Sequence, residues 1–260
     1  MTATATPIRD YWSSWHLHVS ALGAPATDRV IRHVVAPAVD WCRRPWPAPA
    51  PWFFIRYWQF GPHVRLRVGG LDQEREEQLD AWLRDSMAEL TGAAPGALTP
   101  AEYQSQVAAL ASAGEGDGPL ELGELWPPGV YRQPYRPEVD RYGGPDLMPL
   151  SESLFQESSE LTLAFTGRNP PEAARKGLGL RATWAAVEVL AEDRRTPFCR
   201  RAAHRAAAWA PAGATGRAAA PATGLERPAP APVRRWVDRL RQAMDQWPAA
   251  DGERILHAHI

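Results

Sequence analysis

The stretch that decides the fold is residues 53–67, "FFIRYWQFGPHVRLR", where three arginines and several aromatic rings surround one turn. Gly61 and Pro62 are typical turn residues, so this stretch predicts two antiparallel strands joined as a hairpin. The positions of the strand residues relative to this turn determine the predicted pairing. The resulting register pairs Trp58 with His63, Arg56 with Arg65, and Phe54 with Arg67.

Because side chains alternate along a strand, this register predicts two unlike faces. The apolar core face carries Phe53, Ile55, Tyr57, Val64, Leu66 and Val68, and the six paired residues form a cationic, aromatic face. Arg56 opposite Arg65 is a like-charge contact that costs stability unless an anion compensates it. A solvated face with extended arginines is the alternative. The large rings favour a cavity that binds peptide carboxylates or carbonyls.

Outside the hairpin, one more strand and several helices are predicted. Residues 15–21 alternate, with His16, His18 and Ser20 on one face. Helical spacing of apolar residues predicts helices over 25–44, 71–90, 99–113, 145–165, 171–195, 197–209 and 232–247. Gly and Pro make 114–144 irregular. The predicted class is α+β: a small antiparallel or mixed sheet covered by helices, in one domain over 1–260, with a mobile loop at 210–232.

Composition limits the possible partners. The 260 residues carry 29 basic and 30 acidic side chains, and the net charge of −1 predicts no nucleic-acid or membrane binding. No run is long enough to span a membrane, and the N-terminus lacks a secretory pattern, so we predict a cytoplasmic protein. Cys42 and Cys199 have no metal-ligand spacing.

Common catalytic and metal-binding motifs are absent. There is no nucleophile elbow, phosphate-binding glycine loop, HExxH motif or dinucleotide fingerprint. His16 and His18 form one HxH pair and His257 and His259 another, but neither has the carboxylate or cysteine spacing of a metal site, so we predict no metal. The pair Gly143-Gly144 precedes a predicted helix and indicates either an ordinary loop or an anion-binding turn.

Two segments together resemble a known family. "FFIRYWQFGPHVRLRV" (53–68) resembles the Phe-Ile-Arg-Tyr…His-(Leu/Ile)-Arg-Leu-Arg signature of the glutamate-elimination domain of lantibiotic dehydratases. "YRPEVDRYGGPDLMPLSESLFQESS" (135–159) resembles the Tyr-x-x-Glu-x-x-Arg-Tyr-Gly-Gly…Glu-x-x-Phe-x-x-Asp-Ser signature of the same family. The resemblance implies the fold of that elimination domain.

The family also includes stand-alone pyridine synthases of thiopeptide biosynthesis, which perform a formal [4+2] cycloaddition between two dehydroalanines. Glu157 replaces the usual Asp, and the C-terminal His-Met-x-x-Asn-Arg-Leu signature of eliminating members is absent, with "LHAHI" near its place. These departures favour cycloaddition with release of water and a leader-peptide amide. The alternatives are the elimination subunit of a split dehydratase and a non-catalytic precursor-binding subunit.

The resemblance also implies roles for individual residues. As proton-transferring groups it implies Tyr135, Tyr142, Glu152, Ser158 and His257. As substrate-binding residues it implies Trp52, Phe54, Arg56, Trp58, His63, Arg65, Arg67, Arg141 and Gln156. No cofactor is expected. The expected partner is a modified precursor peptide with a leader and a dehydrated, thiazole-containing core, bound by a monomer or homodimer.

Overall fold

The computed structural model describes residues 12–21, 24–44, 49–92, 98–113, 123–208 and 229–259. Its helices and its antiparallel sheet confirm the predicted α+β class. Of the predicted loop at 210–232, residues 210–228 lie outside the described part of the chain. No helix within the described ranges is both long and apolar enough to cross a membrane.

One sheet contains four strands in the order β2-β3-β1-β4, and every neighbouring pair is antiparallel. The strands are β1 (Trp12–His18), β2 (Trp52–Tyr57), β3 (His63–Gly69) and β4 (Gly129–Arg132). The strand predicted at 15–21 therefore begins and ends three residues earlier. Strand β4 lies within the segment that was predicted to be irregular, and it pairs along the edge of β1.

The helices follow the predicted ones closely. They are α1 (Ala24–Val30), a π-helical turn (Ile31–Val35), α2 (Ala36–Cys42), α3 (Gln73–Gly92), α4 (Pro100–Ala113), α5 (Met148–Thr166), α6 (Glu172–Val187), α7 (Glu192–Ala208), α8 (Ala231–Met244) and α9 (Gly252–His259). The helix predicted over 171–195 ends early, and α7 starts before Pro197. No helix was predicted where α9 lies.

Pro37 explains the π-helical turn within the first helical segment. Proline has no backbone N–H, so the regular helical hydrogen bond to residue 33 is missing. The backbone N–H of Ala36 instead donates to the carbonyl of Ile31, one residue further back than in an α-helix. The helical segment thus continues past Pro37 into α2 without a break.

The chain forms two compact units. The first comprises residues 1–105, 122–137 and 162–167, and the second comprises 106–121, 138–161 and 168–260. The single domain predicted over 1–260 stays a prediction.

The core of the first unit lies between the sheet and helices α1 to α3. From the sheet, Trp15, Leu17 and Leu66 are buried there, and Ile31 and Leu83 are buried from the helical side. On α3, by contrast, the large apolar side chain of Trp82 is exposed.

The second unit has a core made by helices. Its buried side chains include Leu154 of α5, Phe198 of α7, Trp236 and Leu240 of α8, and Ile255 of α9.

The predicted register of the hairpin is wrong by one residue. Tyr57, not Trp58, pairs with His63, and the loop comprises residues 58–62. Phe60 and Gly61 both have positive φ, at 63° and 109°, which lets this longer loop close. The register pairs Ile55 with Arg65, Arg56 with Val64, Phe53 with Arg67 and Phe54 with Leu66.

The shift exchanges the faces of β2, because a slip of one residue turns every side chain over. Trp52, Phe54 and Arg56 share the face that α1 to α3 cover. Phe53, Ile55 and Tyr57 share the other face with His63, Arg65 and Arg67. The predicted like-charge contact between Arg56 and Arg65 does not form.

Candidate functional site

The sheet face opposite helices α1 to α3 carries the polar and aromatic groups of the first unit. Strands β1, β2 and β3 place on this face Ser14, His16, His18, Phe53, Ile55, Tyr57, His63, Arg65 and Arg67. Tyr131 of β4 joins them opposite His16. We call this set the cationic-aromatic face.

Arg65 is held by two neighbours on this face. Its guanidinium carbon lies 3.5 Å from the centre of the Tyr57 ring, a cation–π contact. Its Nε–H donates to Nε2 of His63 over 3.0 Å. Both Arg65 and Tyr57 are partly exposed, so a ligand on this face can reach the guanidinium group.

His63 is a neutral imidazole with one defined tautomer. Its Nδ1 lies 2.8 Å from the carbonyl oxygen of Gly61, which can only accept, so the ring proton is on Nδ1. Nε2 then keeps the lone pair that accepts from Arg65. The turn of the hairpin therefore orients His63, and His63 orients Arg65.

Arg67 lies in an aromatic cage. Its guanidinium carbon is 4.7 Å from the ring centre of Tyr135 and 5.3 Å from that of Phe53. Trp12 packs edge-on against both rings, at 6.1 Å and 5.1 Å. Arg67 is only 6% exposed, so its charge acts in a poorly solvated environment, where electrostatic interactions are stronger than in water.

Three histidines stack beside these arginines. The ring centres of His16 and His18 lie 4.8 Å and 4.2 Å from that of His63. Burial, aided by the positive charge of Arg65, lowers the pKa of His16 to about 3 and that of His18 to about 4. Burial, followed by the interaction with His18, lowers the pKa of His63 to about 2. All three rings are neutral near pH 7.

Three of the predicted substrate-binding residues lie on the covered face instead. Arg56 forms a 2.6 Å ion pair with Asp28 of α1 and donates to the hydroxyl of Thr27 over 3.2 Å. Trp52 and Phe54 are buried, with parallel rings 6.4 Å apart. These contacts make the three side chains part of the core and its rim.

Trp58 lies in the hairpin loop. Its ring is parallel to that of Tyr57 at 6.2 Å, and its carbonyl accepts a hydrogen bond from the hydroxyl of Tyr103. Among Trp52, Phe54, Arg56 and Trp58, which were all predicted to bind substrate, only Trp58 adjoins the cationic-aromatic face.

In the second unit, a turn before α5 positions Arg141 and Tyr142. Arg141 pairs with Glu138 at 2.9 Å, and the hydroxyl of Tyr142 lies 3.4 Å from the carbonyl of Ala258. The turn contains Gly143 and Gly144, with φ of 90° and 110°. These angles suit glycine, and helix α5 begins four residues after Gly144 rather than at once.

His259, rather than the predicted His257, lies against Tyr142. Its ring centre is 5.1 Å from that of Tyr142 and 5.2 Å from that of Phe155. Burial, with a smaller contribution from Arg141, lowers the pKa of His259 to about 3. His257 points elsewhere and lies 5.9 Å from the ring of Phe198.

The remaining predicted residues lie on α5. Glu152 is buried, and Gln156, one turn later, donates to Glu160 over 3.3 Å. The hydroxyl of Ser158 donates to the carbonyl of Phe155 over 3.0 Å, so its proton is engaged within its own helix.

Glu157, the departure from the family signature, pairs with Arg239 of α8 at 2.7 Å. This ion pair between two helices of the second unit gives Glu157 a structural role.

The structure therefore brings together part of the predicted site. His63, Arg65, Arg67 and Tyr135 share one face of the first unit, and Arg141 and Tyr142 share a turn in the second. Sequence reasoning missed Phe53, Tyr57 and Tyr131, and it left His16 and His18 without a role. A correct hairpin register was the signal that would have found Phe53 and Tyr57.

The chain matches one protein family over nearly its full length. Residues 12–256 match the family described as lantibiotic biosynthesis dehydratase C-term. No match was found among the curated proteins.

Three solved structures are similar to this chain. The first is the pyridine synthase TbtD from thiomuracin biosynthesis, with 18% identity, a TM-score of 0.56, and coverage of 96% of this chain and 89% of that one. The second is the tRNA-dependent lantibiotic dehydratase MibB from Microbispora sp. 107891, with 24% identity, a TM-score of 0.40, and coverage of 72% and 15%. The third is TsrL, with 14% identity, a TM-score of 0.48, and coverage of 90% and 67%.

At these identities the likeness to TbtD shows a common fold, whereas the match over residues 12–256 shows the family. The two signature segments and the residues they place on the sheet and before α5 agree with it. The chain therefore belongs to the lantibiotic biosynthesis dehydratase C-terminal family, and so to the proteins of lantibiotic-type peptide biosynthesis.

Proposed function

We propose that this protein is an enzyme that forms a pyridine ring in a modified precursor peptide. The reaction is a formal [4+2] cycloaddition between two dehydroalanines of a leader-bearing, thiazole-containing peptide. The observation that carries the proposal is the cationic-aromatic face, where two guanidinium groups lie among flat rings. The likeness of fold to a pyridine synthase over 96% of this chain supports it.

The chemistry requires positioning and proton transfer. The amide before one dehydroalanine takes its iminol form, and the resulting azadiene adds to the second dehydroalanine to close a six-membered ring. Loss of water and then of the leader amide leaves an aromatic pyridine, with no net oxidation or reduction. Holding two alkenes of a flexible peptide in contact contributes several kcal/mol, with about 7–11 kcal/mol the upper range.

The face offers groups suited to each need. Tyr57, which is partly exposed, presents a ring surface on which a thiazole can stack. Arg65, fixed by His63, can donate hydrogen bonds to an amide oxygen and so stabilise the negative charge that this oxygen gains when the amide N–H is deprotonated on the way to the iminol. Tyr135 lies beside Arg67 and can transfer a proton to or from the amide. The resemblance also implied proton-transfer roles for Tyr142, Glu152, Ser158 and His257. Ser158 donates its proton within α5 and His257 lies near Phe198, so Tyr142 and Glu152 are the better candidates of these four.

Reconstitution with a defined substrate tests this function. The folded chain is incubated with a synthetic leader peptide whose core contains two dehydroalanines and several thiazoles, and products are followed by mass spectrometry. We expect a free leader amide and a macrocycle that absorbs as a pyridine. Recovery of intact substrate after long incubation contradicts the proposal.

A second candidate is glutamate elimination, which the proximity of two arginines on one face favours, since such a pair can bind a glutamyl carboxylate. A peptide with glutamylated serines is tested in parallel. Loss of glutamate without cyclisation indicates this second reaction. Tight binding of both peptides without any change of mass indicates a precursor-binding subunit.

A further inference from the structure

The cationic-aromatic face contains a cluster of three histidines, of which the proposed reaction uses only His63, to orient Arg65. His16 and His18 lie on β1, and His63 of β3 is directly opposite His18. One ring nitrogen of each histidine lies within 4.8 Å of those of the other two. We propose that His16, His18 and His63 bind a divalent transition-metal ion of the Zn²⁺ class.

The ligand set suits such an ion. Imidazole nitrogen is a preferred ligand of Zn²⁺, Cu²⁺ and Ni²⁺, and three histidines leave one position of a tetrahedral ion for water or an anion. Nitrogens bound to one tetrahedral Zn²⁺ lie about 3.3 Å apart. The three nitrogens therefore approach by about 1.5 Å at most, and the stacked imidazole rings must rotate so that their lone pairs converge on the ion.

His18 supplies an independent observation that points to a ligand. Its side chain is 1% exposed, yet neither ring nitrogen has a hydrogen-bond partner among the described residues. Its neighbours are the rings of His63, Tyr131 and Trp126, with centres at 4.2, 5.2 and 5.3 Å. Buried polar groups in native proteins are nearly always satisfied, and a metal ion would satisfy this one.

His63 is prepared for metal binding by the turn. Ligating histidines donate their second ring N–H to a carbonyl or carboxylate, which fixes the ring and its tautomer. The contact from Nδ1 of His63 to the Gly61 carbonyl, at 2.8 Å, has this form. It leaves the lone pair of Nε2 as the ligand atom.

Arg65 competes with the metal for that lone pair, because its Nε–H donates to Nε2 of His63. A bound ion must displace this contact, and the positive charges of Arg65 and Arg67 oppose the ion as well. The Arg65–His63 hydrogen bond and metal binding should therefore exclude each other. Removing Arg65 strengthens metal binding, while surface sites far from Arg65 do not respond.

The test uses the full chain after treatment with a chelator. Zn²⁺ is titrated by calorimetry, and Co²⁺ by the visible absorption of its tetrahedral complexes. We expect one ion per chain, and affinity reduced more than about tenfold in His16→Gln and in His18→Gln. Arg65→Met should bind about tenfold more tightly than the unsubstituted chain.

Matched variants make the outcome decisive. His257→Gln alters the other HxH pair and should leave affinity unchanged. His16 is partly exposed, so His16→Gln decides the matter if the buried His18→Gln fails to fold. The proposal is overturned by absence of binding, by unchanged affinity in His16→Gln, or by an Arg65→Met affinity no higher than that of the unsubstituted chain. Because no readout is enzymatic, the result stands apart from the proposed cycloaddition.

Discussion

At the scale of single residues, the side to which an arginine points decides what it does. Arg56 and Arg65 lie in paired strands of one hairpin, but Arg56 contacts Asp28 under the helices and Arg65 stacks on Tyr57. The first is positioned to stabilise the fold, and the second to contact a substrate.

Replacing Arg56 should therefore lower stability. In Arg56→Met the Asp28 carboxylate, only 1% exposed, loses the ion pair with Arg56. We expect the free energy of unfolding to fall by about 3 kcal/mol, the low end for a buried pair because the Arg56 side chain is 33% exposed. Urea unfolding measures this. Adding Asp28→Asn should restore part of the loss, and equal stability of Arg56→Met and the unsubstituted chain contradicts the prediction.

Replacing Arg65 should instead lower activity. Lysine keeps the charge in Arg65→Lys, but it lacks the planar group that stacks on Tyr57 and the Nε–H that His63 accepts. We expect kcat/KM for pyridine formation to fall about 10- to 100-fold with little change in melting temperature. Arg241→Lys, in an exposed pair on α8, is the matched control. An unaltered rate in Arg65→Lys removes Arg65 from the proposed site.

The three glycines Gly143, Gly144 and Gly177 separate backbone strain from steric overlap. A Cβ on Gly143 would lie 2.8 Å from both Ile255 and Leu147, at a φ of 90°, whereas Gly144 has a φ of 110° and no atom within 4 Å. Gly177 lies inside α6 with open space around it. We expect Gly143→Ala to destabilise most, Gly144→Ala by about 1–2 kcal/mol, and Gly177→Ala to stabilise by up to about 1 kcal/mol. Chemical denaturation ranks the three, and any other order contradicts this reasoning.

At the scale of elements, the sequence predicted which helices and strands exist better than how the strands pair. Helical periodicity located α3 and α5, and the helix predicted over 99–113 matches α4 (Pro100–Ala113). The hairpin register was harder, because β2 is buried on both faces: Phe53 is 1% exposed and Phe54 6%. Alternation then gives no preference between two registers, and the loop length decides.

The one-residue error in the hairpin register also explains how much of the candidate site could be predicted. His63, Arg65 and Arg67 follow the turn in β3, so their common face could be predicted without knowing the pairing. The ring partners on β2 depended on the register and were assigned to the wrong face. The nearness of His63 to His16 and His18 comes from the pairing of β3 with β1, which no local pattern in the sequence contains.

Helix α4 offers a test at this scale. The backbone N–H of Glu102 lies 3.3 Å from the Thr99 hydroxyl, and the carboxylate of Glu102 accepts from the backbone N–H of Thr99 at 2.9 Å, a capping box. Thr99→Ala should lower the free energy of unfolding by about 1 kcal/mol. Thr91→Ala is the control, since the Thr91 hydroxyl only bonds back to its own helix. Equal effects of the two substitutions contradict a capping role.

At the scale of the whole molecule, the two family signatures contribute their main features to different units. The first signature forms the hairpin and the cationic-aromatic face of the first unit, and the second forms the glycine turn and the start of α5 in the second unit. Each unit buries neutral histidine within or beside its signature residues. Burial of neutral histidine couples the stability of the folded chain to pH.

Acid should therefore destabilise the protein well above the pH at which carboxylates titrate. The pKa of His259 is lowered from 6.5 to about 3, so between these values the unfolded state binds a proton that the folded state does not. The free energy of unfolding should fall as pH decreases through this window, and His259 should contribute no pH dependence above it. His259→Phe keeps a ring against Trp247 but has no group that binds this proton, so its free energy of unfolding should change less with pH. The stability of the variant minus that of the unsubstituted chain should therefore be more favourable at about pH 5 than at about pH 7.5. Other buried histidines leave part of the slope in place. Urea unfolding at both pH values measures the difference, and an identical slope in the two proteins would show that His259 is protonated without cost in the folded state.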